Sequence, residues 1–152
     1  KNDLLRRARE TIPTCMNYKV VAENSSMYNT PPTLAWYFSG LVFKWIKAQG
    51  GLTSMEVINR RKAKKLYGAI DTSELYYNPV ELNSRSWMNV PFTLTDDRLN
   101  ALFLAQAEES GLLNLAGHRS VGGMRASIYN AVPEVAVDAL VEFMSVFERD
   151  NG

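Results

Sequence analysis

SRSWMNVPFTLTDD, residues 84–97, is the stretch from which the fold is read. Met88, Val90, Phe92 and Leu94 alternate with Trp87, Asn89, Pro91 and Thr93, the period of two expected of a strand with one buried face. Pro91 has no N–H to give a ladder, so an edge or bulged position is expected. Thr95 then reads as an oxygen cap, with Asp96 and Asp97 as acids in the first turn of a helix. Leu99, Leu102, Phe103, Gln106 and Ala107 carry that helix on, and Gly111 stops it.

The same alternation of signals continues on both sides. SELYYNPV, residues 73–80, reads as a short aromatic strand, and MRASIYN, residues 124–130, as another. In the latter, Arg125, Ser127 and Tyr129 share one face and Met124, Ala126 and Ile128 the other. A helix over 53–70 is predicted from Met55, Ile58, Ala63, Leu66 and Ala69, with Arg60, Arg61, Lys62, Lys64 and Lys65 on its remaining surface. Pro133 opens a last helix with Val137, Leu140, Val141, Met144 and Phe147 at helical spacing. Together these predict an α+β fold, a small antiparallel or mixed sheet with helices mainly on one face.

Upstream, LLRRAR (4–9) reads as a short helical turn and residues 14–33 as extended chain or loop. Pro31 and Pro32 preset a helix over 33–48, closed by Gly50 and Gly51. That helix is apolar on almost every side yet shorter than the about 20 residues a membrane span needs. It is expected to lie against another domain or subunit.

Composition narrows the function classes. Seventeen basic against sixteen acidic residues leave a charge of +1, so neither nucleic acid nor an acidic membrane is an expected partner. The basic run at 60–65 reads as a solvated helix face. The lone Cys15 cannot close an internal disulfide, which favours a reducing, cytoplasmic setting. No signal peptide is visible, and Lys1–Glu10 reads as the middle of a longer chain. No metal site is expected.

GHRSVGGMRASIYN, residues 117–130, holds the only histidine. A guanidinium in a strand of small and apolar residues is costly to bury unless an anion pairs with it, and its planar fork matches a carboxylate. Gly122 and Gly123 allow a tight turn and a close approach to a ligand. His118 and Arg119 add a second cationic position, suiting a ligand with two anionic ends. On these residues alone the favoured reading is an ordinary loop-to-strand junction, with Arg125 paired to an acid and His118 at the surface.

SSMYNTPPT, SRSWMNVPF and GHRSVGGMRASIYNA, in that order and spacing, closely resemble the phosphoserine aminotransferase family, pyridoxal-phosphate enzymes of the aspartate-aminotransferase fold type. The resemblance covers nearly the whole chain, including AWYFSGLVFKWIKAQGG and the last helix, and corresponds to the carboxy-terminal part of a bacterial-type enzyme. It implies the small domain of a fold-type I aminotransferase, with residues 1–32 ending the large cofactor-binding domain, 33–50 an interface helix and 51–152 the small domain. It implies amino transfer between glutamate and 3-phosphohydroxypyruvate, giving O-phosphoserine and 2-oxoglutarate, in serine and pyridoxine biosynthesis. It implies a cytoplasmic homodimer with the active site at the subunit interface.

By the same resemblance, Arg125 holds the substrate α-carboxylate, and His118 and Arg119 the distal phosphate or carboxylate. Asn29 and Thr30 reach the cofactor phosphate of the neighbouring subunit; on residues alone they cap the helix opened by the prolines. The Schiff-base lysine, the acid on the pyridinium nitrogen and the stacking ring belong upstream. Neither Lys1 nor Lys19, Lys44, Lys47, Lys62, Lys64 or Lys65 matches that lysine, so the isolated chain is expected to be inactive. The alternatives are an aminotransferase for another anionic amino acid and a non-catalytic interaction domain docking through residues 33–48. The coding sequence upstream distinguishes them: a strand followed by a lysine and a glycine-containing turn marks the transaminase, a start codon near Lys1 the interaction domain.

Overall fold

A computed structural model describes residues 2–5 and 7–152, in two units, Lys1–Ala48 and Gln49–Gly152. Lys1 and Arg6 lie outside the described residues, and with Arg6 part of the helical turn expected over 4–9. Asn2–Leu4 form a 3-10 turn, and residues 7–9 have no regular structure.

In the first unit, residues 14–33 are more ordered than expected. A 3-10 turn at Thr14–Met16 leads to α1, Tyr18–Glu23, whose cap is Asn17 accepting from the Lys19 amide at 3.0 Å. The cap is a local hydrogen bond that a hydrophobic period does not reveal. α2 spans Thr33–Ala48 as expected. None of its residues is buried, and Leu34, Trp36, Tyr37, Phe38 and Phe43 are exposed.

The second unit contains α3 (Gly51–Asp71), β1 (Tyr76–Tyr77), β2 (Asn89–Leu94), α4 (Asn100–Glu109), β3 (Met124–Ser127) and α5 (Glu134–Asn151). The strands form an antiparallel sheet in the order β1-β2-β3. Val90, Phe92 and Leu94 of β2 and Met124 and Ala126 of β3 are buried, as the alternation predicts. They meet Leu66 and Ile70 of α3, Phe103 and Ala107 of α4, and Val137, Leu140, Met144 and Phe147 of α5 in one core. The helices thus cover one face of the sheet. Phe103 is its aromatic centre, meeting Tyr76, Phe92, Phe143 and Phe147 edge-on with centroids 5.0–5.9 Å away.

Three expectations are corrected. Pro91 stands in the middle strand, not at an edge or bulge. It faces Arg125, whose own N–H bonds Leu115 O at 2.7 Å on the far side, so the pair is not hydrogen-bonded and needs no proline donor. On its other side β1 has ended, and the Asn78 side chain takes the Pro91 carbonyl. The cap before α4 is Asp96, not Thr95: Asp96 accepts from the Arg98 amide at 3.0 Å, opening a 3-10 turn that leads into the helix. Lastly, Lys62 is not on the solvated face of α3. The buried stripe is Met55, Asn59, Lys62, Ala63, Leu66, Tyr67 and Ile70, while Ile58 and Ala69 are only half-buried.

Candidate functional site

The sheet face turned away from the helices carries Asn89, Pro91, Thr93, Arg125 and Ser127, all half-buried. Arg125 is brought there by the strand period, since its neighbours Met124 and Ala126 must point into the core. Among the described residues no carboxylate pairs with it, and its Nε is buried without a hydrogen-bond partner. A buried donor left unmade is costly, and an anion placed against the guanidinium would satisfy it. A cavity of about 410 Å3 opens beside it, bounded by Asn114, Leu115, Ser127 and Val137.

Beside Arg125 a hydroxyl pair converges on one amide. Asn89 Oδ1 accepts from Ser127 Oγ at 3.0 Å and from the Tyr129 hydroxyl at 3.2 Å, joining β2 to the end of β3.

Residues 117–123 form a hairpin loop at the other end of β3. Ala116 bridges Met124, Gly117 N bonds Gly123 O at 2.8 Å, and the amides of Val121 and Gly122 both donate to His118 O at 2.8 Å. The glycines are required: Gly122 and Gly123 have φ of 80° and 63°, and a Cβ on Gly123 would stand 2.9 Å from Phe92 O. His118 and Arg119 are carried on this loop, exposed, with His118 Nδ1 2.7 Å from Ser120 Oγ. One β-hairpin therefore carries all three expected anion-binding residues, two at its tip and Arg125 on its returning strand.

Asn29 and Thr30 lie in the first unit, exposed, four and three residues before α2. Among the described residues neither side chain makes a hydrogen bond, so the capping bond expected from residue type alone is not made. An amide and a hydroxyl remain free to donate.

Lys62 is the residue whose place charge alone conceals. It is 0% exposed, and its ammonium donates to the carbonyls of Ile128 (3.2 Å), Tyr129 (2.8 Å) and Val132 (2.9 Å). Burial lowers its pKa, opposed by the field of Glu134. The signal was its spacing: 55, 59, 62 and 66 mark one helix face. Among the described residues no three His, Cys, Asp or Glu side chains gather to hold a metal, and no helix is long and apolar enough to cross a membrane.

A family model, curated relatives and solved structures agree on the family of this chain. The aminotransferase class-V family model matches residues 8–140. A phosphoserine aminotransferase from Hahella chejuensis (strain KCTC 2396) is 64% identical over 151 residues, covering 99% of the chain and 42% of the relative. One from Pseudomonas fluorescens (strain SBW25) is 61% identical over the whole chain, again 42% of the relative. Among solved structures, phosphoserine aminotransferase from Bacillus circulans subsp. alkalophilus superimposes with a TM-score of 0.89 at 44% identity, over 99% of this chain and 42% of that one. A PLP-bound phosphoserine aminotransferase from Trichomonas vaginalis superimposes at 0.84, also at 44% identity, over 95% and 42%. The chain thus spans about 42% of the length of the relatives it matches.

Proposed function

The chain belongs to the class-V aminotransferases, and from that premise we propose that it is the carboxy-terminal part of a phosphoserine aminotransferase. The whole protein transfers an amino group reversibly between glutamate and 3-phosphohydroxypyruvate, yielding O-phosphoserine and 2-oxoglutarate in the cytoplasm. Residues 1–32 complete the large domain, 33–50 form the interface helix and 51–152 the small domain. The protein acts as a homodimer, and the unburied aromatic side chains of α2 support its role as a contact surface.

The observation that carries this reading is Arg125, a guanidinium with a buried, unmade donor and no acid of its own among the described residues. Every substrate of the reaction has an α-carboxylate, which takes both arms of the fork in parallel. The far end of each substrate is a phosphate or second carboxylate, which His118 and Arg119 meet from the hairpin tip. Holding both anionic ends fixes the direction of the α-carbon before any bond is broken.

The donor set at Asn29 and Thr30 suits a phosphate: an amide, a hydroxyl and the nearby start of α2, all hydrogen-bond donors toward an anion. These residues would hold the phosphate of pyridoxal phosphate, in the site of the neighbouring subunit. When bound, that cofactor supplies the electron sink on which amino transfer depends. The lysine that joins it lies in the remaining length of the protein.

The test is an assay of the full-length protein with glutamate and 3-phosphohydroxypyruvate. O-Phosphoserine and 2-oxoglutarate should form in equal amounts. Activity with another anionic amino acid but none with O-phosphoserine would assign the chain to a sister aminotransferase.

A further inference from the structure

We infer that Lys62 is a positioning residue for substrate binding, acting from the core through the turn that ends β3. The inference rests on the role proposed above for Arg125. An ammonium buried without a carboxylate is costly, and an apolar side chain of similar length would fill the same space more cheaply. Lys62 instead gathers three backbone carbonyls from residues 128, 129 and 132. Its neighbour one turn earlier, Asn59, donates to Asn130 Oδ1 at 2.7 Å, so α3 holds this turn at two places.

What the turn controls is visible on the opposite face. Tyr129 and Ser127 both donate to Asn89 Oδ1, and Arg125 precedes them on the same strand. Among the described residues Arg125 has no ion pair to orient it, so the strand backbone sets the direction of its fork. A bidentate carboxylate hold tolerates little misalignment. Lys62 fixes the carbonyls of the turn, the turn fixes Tyr129, and Tyr129 with Asn89 fixes the strand that carries Arg125.

Lys62→Met in the full-length enzyme is expected to raise KM for glutamate and O-phosphoserine about tenfold each, while kcat changes less than about threefold. Amide exchange over residues 124–132 should quicken while α4 exchanges as before. Tyr129→Phe should raise both KM values about threefold, and the double variant should show less than the product of the two effects. A Lys62→Met enzyme that melts earlier yet keeps both KM values and the exchange of 124–132 would make Lys62 structural only and overturn the inference. Should that variant fail to fold, Tyr129→Phe decides, because its ring is exposed: unchanged KM values overturn the route. If the wild-type protein transaminates neither substrate, the functional reading fails by itself, and exchange over 124–132 still decides whether Lys62 holds the strand.

Discussion

At the scale of single residues, the proposed site depends on a guanidinium whose buried Nε has no hydrogen-bond partner among the described residues. Replacing Arg125 by lysine keeps the charge and removes the planar fork. In the full-length enzyme KM should rise for both amino-acid substrates by about tenfold or more, since the fork is bound in ground and transition states alike. Unchanged kinetics for both would remove Arg125 from the site. His118 and Arg119 differ in kind, because they sit exposed on a loop and, in the proposed reading, would meet only the distal anion. Alanine at either should weaken O-phosphoserine more than a short neutral amino acid; equal losses would refute distal recognition. Arg125 was legible because its strand period leaves it only one face. Lys62 was not, because a lysine in a run of basic residues suggests solvent until the carbonyls that receive it are known. Whether Arg125 had a partner acid was equally illegible, since that depends on contacts distant in sequence.

At the scale of elements, the period-two and helical patterns placed β2, β3 and α5 closely, because each buries one continuous face, whereas α2, which buries no residue, was placed by the prolines before it and the glycines after it. β1 was read as a strand but over the wider span 73–80, and α1 was missed, because two residues of strand and a six-residue helix carry too few repeats. Pro91 shows how a sound rule meets its exception. A proline is excluded from a central strand only where its N–H would be used, and that depends on the register of the partner. The packing of α3 against α5 adds a pH-dependent tie. Glu134, the first residue of α5, accepts both arms of Arg61 and lies 2.7 Å from Lys65. These cations hold its carboxyl at about 2, below the ordinary 4.5. A carboxyl depressed in the folded state adds stability above its unfolded value and loses it as pH falls toward the folded one. Subtracting the denaturation midpoints of Glu134→Gln from those of the unmodified chain should therefore give a stabilisation that fades between about pH 4.5 and about 2. A difference that stays level through that window would deny the tie any role. In the core, Phe103→Ala should cost about 3–5 kcal/mol, because the ring is fully buried among four other aromatics. Urea denaturation measures it, and a loss under about 1 kcal/mol would mean the cluster can collapse around the gap.

At the scale of the whole molecule, stability is unevenly divided. Every residue of the hydrophobic core lies within Gln49–Gly152, whereas no described residue of Lys1–Ala48 is buried. Cooperative unfolding needs a shared core, so the two units should behave differently when separated. Residues 49–152 alone should unfold in one transition, with a midpoint within about 4 °C of the 152-residue chain, no more than about 1 kcal/mol would produce in a domain of this size. Residues 1–48 alone should show no sigmoidal melt, because a single apolar helix without a partner buries too little to offset chain entropy. Calorimetry of both fragments distinguishes the cases. If residues 49–152 fail to melt cooperatively, the first unit contributes to the core in a way its burial does not show. If they do melt cooperatively, the hairpin bearing His118, Arg119 and Arg125 belongs to a self-sufficient body. The anion-binding geometry would then be fixed before the rest of the enzyme is present, and a weak affinity of residues 49–152 for glutarate or inorganic phosphate, lost in Arg125→Ala and in His118→Ala respectively, should be detectable by NMR shift titration.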